Sequence, residues 1–203
     1  MSPSSPPLRL PFFYGWGVVS VAFVTMAIAV NARTAFSLLY PPILDEFGWE
    51  RGETAGAFTI GFLAATGFAP LFGILMDRVG PRVVIPLGAA IVAAGFFLAT
   101  WIASPIMLYL SLGLMVVGGS VGMSYIGHSM FLPNWFVRKR GLAIGLAFAG
   151  VGVGSIVLLP LTQTYIETAG WRATCVAIAI AVAVVVIPLN ALLQRRAPAD
   201  IGL

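Results

Sequence analysis

The chain has 203 residues, of which 60% are hydrophobic and 9% charged, with a net charge of +4 and a mean hydropathy of +1.01. Soluble domains carry roughly 25% charged residues, and no soluble fold of this length hides so much apolar surface. The solvent is therefore lipid, and the scattered basic residues fit membrane loops better than a nucleic-acid footprint.

Residues 1–13 read as a short polar tail on the cytoplasmic side. The apolar run after them is too long for a secretory leader, so no removed peptide is expected. Cutting the chain at charged residues and at Pro/Gly breaks leaves stretches long enough to cross the roughly 30 Å hydrocarbon layer. They are Tyr14–Tyr40, Thr54–Met76, Val83–Ala103, Ile106–Met130, Gly141–Ile166 and Arg172–Leu193. Residues 14–194 then form one six-helix bundle, and 195–203 begin a cytoplasmic loop. Spans this long and continuous are helices, because lipid offers no water to an open strand edge.

Lys and Arg set the orientation. With both termini inside, Arg9, Arg78, Arg82, Arg138, Lys139, Arg140, Arg195 and Arg196 are cytoplasmic, and only Arg51 and Arg172 are outside. Arg33 lies within a span. This split satisfies the positive-inside rule and predicts a multi-pass protein of the cell membrane.

Polar residues are unevenly shared among the spans. The first carries Thr25, Asn31, Arg33, Thr34 and Ser37; the fourth carries Ser111, Ser120, Ser124, Tyr125, His128 and Ser129. Polar groups in hydrocarbon face a protein interior or a wet cavity. The first and fourth helices are thus expected to be cavity walls, and the nearly pure hydrocarbon third and sixth to be lipid-facing supports. This order of roles suggests a 3+3 inverted repeat, an all-α arrangement used by transporters. In the fifth span Gly141, Gly145, Gly150 and Gly154 have the small-residue spacing that lets membrane helices touch. A phosphate-cradling loop would need a preceding strand.

His128 is the single histidine, without a second ligand to make a metal site, and Tyr125 and Ser124 lie near enough along a helix to share its face. The single Cys175 excludes an internal disulfide framework and a cysteine metal cage. No metalloprotease or serine-hydrolase signature occurs, so neither enzyme chemistry nor a cofactor is expected. A membrane-embedded enzyme and a structural or pore-forming six-helix protein are the alternative readings.

The loop "GILMDRVGPRVV" carries the most specific pattern. Gly73-x-x-x-Asp77-Arg78-x-Gly80-x-Arg82, between the second and third spans, resembles the signature loop of the major facilitator superfamily, with Val83 where a further basic residue often stands. "YGW" (14–16), "FGWER" (47–51), "WFVRKRGLAIGLAFAGVGVG", "GWR" (170–172) and "RRAPADIGL" together resemble the branch of monocarboxylate transporters and oxalate/formate antiporters. The resemblance implies alternating-access transport of a small solute such as a monocarboxylate, with a coupling proton or counter-anion. It also implies a gating role for the 73–82 loop as a latch between halves. Proteins of this family have two six-helix halves, so this chain reads as the N-terminal half, a fragment or half-transporter needing a second half or a homodimer partner. Monocarboxylate-type relatives place a cationic Lys near this point of the first helix, at Thr34 in an ungapped comparison. Arg33 is accordingly the candidate anion site, and Asn31, Ser37, Tyr125 and His128 are the further candidates for the substrate cavity, His128 with a structural hydrogen-bonding role as its alternative.

Overall fold

The computed structural model describes residues 14–136 and 138–201, so the expected tail 1–13, including Arg9, lies outside the described residues, as do 202–203. Among the described residues every regular element is helical. The principal helices are α1 (Tyr14–Phe47), α2 (Arg51–Val79), α3 (Pro81–Ala99), α4 (Pro105–Leu108), α5 (Tyr125–Phe131), α6 (Arg140–Ala181) and α7 (Ile187–Leu193). Five helical stretches are long and apolar enough to cross a membrane.

Gly80 makes the sharpest reversal. Its N–H donates to the Met76 carbonyl at 3.0 Å, closing α2, and its φ of 80° turns the chain directly into α3. Only glycine adopts that conformation without strain, and Pro81 follows at the first helical position, where its missing N–H costs nothing. Gly170 does the same inside α6. Its φ of 85° and ψ of 162° are non-helical, so α6 is two helices joined at a kink, with no loop between them.

Two stretches differ most from expectation. Helix α1 runs on through Pro41 and Pro42 to Phe47, seven residues beyond the expected end. The fourth stretch, expected to be one helix over 106–130, is broken. After α4 it continues as wide π turns over Tyr109–Gly118 and a 3-10 turn over Ser120–Met123. It is then extended at Ser124 (φ −83°, ψ −177°) before restarting as α5. The cause is crowding. A Cβ at Gly113 would sit 2.7 Å from the Ala57 carbonyl oxygen, and one at Gly119 2.7 Å from Ile91. The chain uses glycines to bring its backbone against α2 and α3, and glycines weaken a regular helix.

The expected division into walls and supports is also corrected. In the most apolar stretch of α2 only 6% of residues are buried, against 61% in α1 and 50% in α3. Helix α3 is therefore not a purely lipid-facing support: Val84, Gly88, Val92 and Phe96 pack inward, one helical turn apart. The outermost surfaces belong to α2 and the first part of α6, with Phe62, Leu63, Leu71, Ile156 and Leu161 well exposed.

Helix α6 meets α1 through Ala143, Ala147, Gly150 and Gly154, one face of small buried residues. A Cβ on Gly154 would stand 2.6 Å from the Ala27 carbonyl oxygen, and Gly150 lies equally close to the backbone of Phe23. The expected packing role of Gly141 and Gly145 within this chain is corrected: a Cβ built on either would meet nothing within 4 Å, because they occupy the opposite, open side of the same turns. Gly152 is open too. Gly154→Ala is expected to destabilise the protein by about 1–3 kcal/mol through overpacking, whereas Gly152→Ala is expected to be neutral or mildly stabilising. Thermal unfolding in detergent measures both.

Candidate functional site

Helix α1 carries the polar candidates on two different sides. Asn31 is buried and faces α6. Its Nδ2 donates to the Ala27 carbonyl at 2.8 Å and to the Val151 carbonyl at 3.1 Å, while its Oδ1 accepts from the Ser155 hydroxyl at 2.8 Å. These bonds make Asn31 an interhelical clamp. One turn and a half below, Thr25 accepts a 2.7 Å bond from Asn190 of α7. Ser155 and Asn190 had no local signal, since they are 124 and 165 residues from their partners.

Arg33 points elsewhere. It is half-buried, and its guanidinium carbon lies 5.9 Å from the centroid of Phe62 on α2. Among the described residues the single ion pair is Arg172–Glu46, so Arg33 has no carboxylate partner there. Thr34 and Ser37 are exposed beside it, their hydroxyls bonded to the carbonyls of Val30 and Thr34. A crevice of about 350 Å³ opens on the other side of α1, lined by Asn31, Ala35, Leu158, Tyr165, Thr174 and Ile178 among others. Arg33 does not line it.

Tyr125 and His128 do not join this group. His128 is fully buried, its Nδ1 3.0 Å from the Ser124 carbonyl and its Nε2 without a hydrogen-bond partner among the described residues. Tyr125 is 39% exposed and packs edge-on against Phe148 at 4.8 Å. The two share the short helix α5, whose first turn is closed by the His128 N–H on the Ser124 carbonyl at 3.2 Å, but His128 is buried while Tyr125 lies at the surface. Depth separates the two groups as well. Seven residues beyond His128, the tilted Trp135 ring lies 5.5 Å from that of Tyr14, whereas Arg33 lies roughly 28 Å along α1 from Tyr14 at the usual helical rise.

The 73–82 loop sits at the Tyr14 end. The Asp77 side chain is exposed, while its backbone carbonyl accepts a 2.6 Å bond from Arg196. Arg82 donates to the Ala191 carbonyl at 2.6 Å, tying the loop to α7. At Gly73 no neighbouring helix of this chain approaches closely: a Cβ built there would meet nothing within 4 Å. At the far end Arg172 makes bonds of 2.6 and 2.7 Å to the Glu46 carboxylate and lies 4.2 Å from the Trp171 ring centroid. Arg172 also bonds the Thr100 carbonyl at 3.2 Å, and the Trp171 indole donates to Glu46 at 2.6 Å. This knot gathers the ends of α1 and α3 around the Gly170 kink. No group of three or more metal-ligating side chains occurs among the described residues.

These features define a multi-pass helical membrane protein. Residues 21–202 match the Major Facilitator Superfamily, and the chain belongs to that superfamily, whose members are transporters, not enzymes. It is 28% identical over 165 residues to monocarboxylate transporter 13 of Rattus norvegicus, covering 81% of this chain and 38% of that protein. It is 28% identical over 180 residues to monocarboxylate transporter 11 of Homo sapiens (89% and 38%). Identity reaches 33% over 159 residues with monocarboxylate transporter 3 of Mus musculus (78% and 32%). The chain thus spans less than two fifths of the length of these relatives.

The two polar groups of α1 should separate on substitution. Asn31→Ala is expected to lower stability by about 1–2 kcal/mol by removing interhelical hydrogen bonds, while Arg33→Gln leaves the melting temperature unchanged or raised. Thermal unfolding of the two variants in the same detergent tests this.

Proposed function

We propose that the protein contributes half of a secondary transporter for a small organic anion, a monocarboxylate being the first candidate. Arg33 is the anion-attracting residue. The observation that carries this reading is a half-buried guanidinium inside an apolar helix with no acidic partner among the described residues. At the centre of a span an Arg costs about 2.5–3.5 kcal/mol on insertion scales. A bound carboxylate offsets that cost, and the planar fork binds it through two parallel hydrogen bonds. Ser37 and Thr34 lie beside it as further polar contacts; Asn31 acts through packing, and Tyr125 and His128 lie at another level.

In this reading the kink at Gly170 separates a fifth from a sixth crossing, the two triplets of spans form a 3+3 repeat, and both termini are cytoplasmic. A second six-helix half, or a second copy, covers the exposed faces of α2 and α6 and completes the cavity; a proton or counter-anion couples the cycle. The Gly73, Asp77, Arg78, Gly80 and Arg82 loop is the conformational latch, with the exposed Asp77 carboxylate free to meet the other half. The similarity to monocarboxylate transporters supports the substrate class.

In a competent assembly Arg33→Gln is expected to abolish binding of labelled carboxylate, and Arg33→Lys to retain part of it because a point charge replaces the fork. Normal binding by Arg33→Gln rules Arg33 out. Asp77→Asn is expected to slow transport while membrane insertion stays intact, as followed by uptake rates and by cysteine labelling of the 77–82 loop from the inner side. Labelling of that loop from outside would sink the orientation.

A further inference from the structure

Where α2 turns into α3, four guanidinium groups converge. Arg78, Arg82, Arg195 and Arg196 line a recess of about 350 Å³ together with Gly80 and Asp200. None of the four is in an ion pair, because the single pair among the described residues, Arg172–Glu46, lies at the other end of the bundle. Asp200 does not neutralise them. Its carboxylate accepts the backbone N–H of Arg196 at 2.9 Å and of Ala197 at 3.2 Å, and so caps the chain's own turn. Even with Asp77 counted beside the recess, arginines outnumber carboxylates by two to one.

The arginines are held, not loose. Arg82 donates to the Ala191 carbonyl at 2.6 Å, Arg196 to the Asp77 carbonyl at 2.6 Å, and Arg195 to the Gln194 carbonyl at 2.9 Å. Each contact uses one N–H of a group that has five, so most donors remain available. Mutual repulsion of four cations in one recess is unfavourable unless an anion sits among them. Apolar side chains lie exposed at and beside the recess: Val79 in its lining is 48% exposed, and Val83, next to Arg82, is 52% exposed. Arginines beside exposed apolar residues are the pattern expected where a membrane protein meets headgroups, the level at which lipid phosphates lie.

We propose that this recess is a phosphate-binding site. The ligand is a phosphate carried by an anionic phospholipid headgroup or free in solution, and the apolar rim favours the lipid. Arginine forks suit phosphate oxygens because both partners present parallel, charge-assisted hydrogen bonds. The site is separate from the carboxylate reading of Arg33 and does not depend on it.

The test is lipid retention by the purified, delipidated chain, read by native mass spectrometry with phosphatidic acid, phosphatidylglycerol or phosphatidylcholine added. Phosphatidic acid is expected to be retained most and the zwitterionic lipid least, by roughly tenfold, equivalent to about 1.4 kcal/mol. Arg78→Gln with Arg195→Gln removes two guanidiniums that bond to no other element of the structure, and should abolish the preference. Arg138→Gln, an exposed arginine outside the recess, and Arg33→Gln should keep it. Should the double variant fail to fold, Arg78→Gln alone carries the same expectation at reduced size. Competition by millimolar inorganic phosphate supports the site with a soluble ligand; insensitivity to it supports the lipid. Equal retention of charged and zwitterionic lipid, or an equal loss in Arg138→Gln, overturns the proposal.

Discussion

The contact between α1 and α6 governs the rest of the structure. Between helices in lipid there is little hydrophobic driving force, because the tails are as apolar as leucine, so association rests on close packing and interhelical hydrogen bonds. Gly150 and Gly154 let the two backbones meet, and Asn31 exploits that approach by bonding the Val151 carbonyl and Ser155 across the seam. A larger side chain on α6 would hold Asn31 too far away for either bond. The bridge from Asn190 to Thr25 fixes α1 from another direction. Helix α1 is thereby fixed in both depth and rotation.

Apart from Arg33, the charged residues described gather at the two ends, and each end is tied differently. The knot at the Gly170 end is compact, with Glu46 receiving both the guanidinium of Arg172 and the indole of Trp171. Its two charged side chains are 44% and 41% exposed, so the pair itself contributes little. Its effect is positional, gathering three chain segments at the Gly170 kink. The Tyr14 end is held by donors to carbonyls. Tyr14 bonds the Leu193 carbonyl at 2.6 Å, Trp135 that of Arg195 at 3.1 Å, and Arg82 that of Ala191 at 2.6 Å. Helix C-termini present such unpaired carbonyls, and cations there also complement the dipole. The arginines at this end therefore meet carbonyls and no carboxylate within ion-pair distance among the described residues.

Much of the fold was legible because lipid imposes simple rules. Apolar length marks the helices, and Gly80-Pro81 announces the reversal between α2 and α3. The superfamily could be read from the Gly73–Arg82 spacing, since a turn between charged helix ends tolerates few alternatives. What stayed hidden depends on distance in sequence. Nothing near Asn31 reveals that Ser155 completes it, so a buried clamp and a cavity residue look alike. The break at Ser124 was masked because hydropathy is blind to backbone geometry, while the glycines that cause it are also those of a regular membrane helix. Gly141 and Gly145 carry the same spacing as Gly150 and Gly154, and only the direction of each face tells packing from exposure.

The rotation of α1 gives Arg33 its meaning. Successive helical residues are turned by about 100°, so Asn31 and Arg33, two apart, lie on nearly opposite sides. With Asn31 locked against α6, Arg33 cannot turn into the small-residue seam and must lean over Phe62 towards the open side. A cation–aromatic contact at such an exposed position offsets about 0.5–1 kcal/mol, well short of the cost of the charge in a span. The fold therefore holds a cation in a fixed direction without neutralising it. That residual deficit is the physical basis of the proposed anion site, because the clamp that stabilises the helix also keeps the charge available.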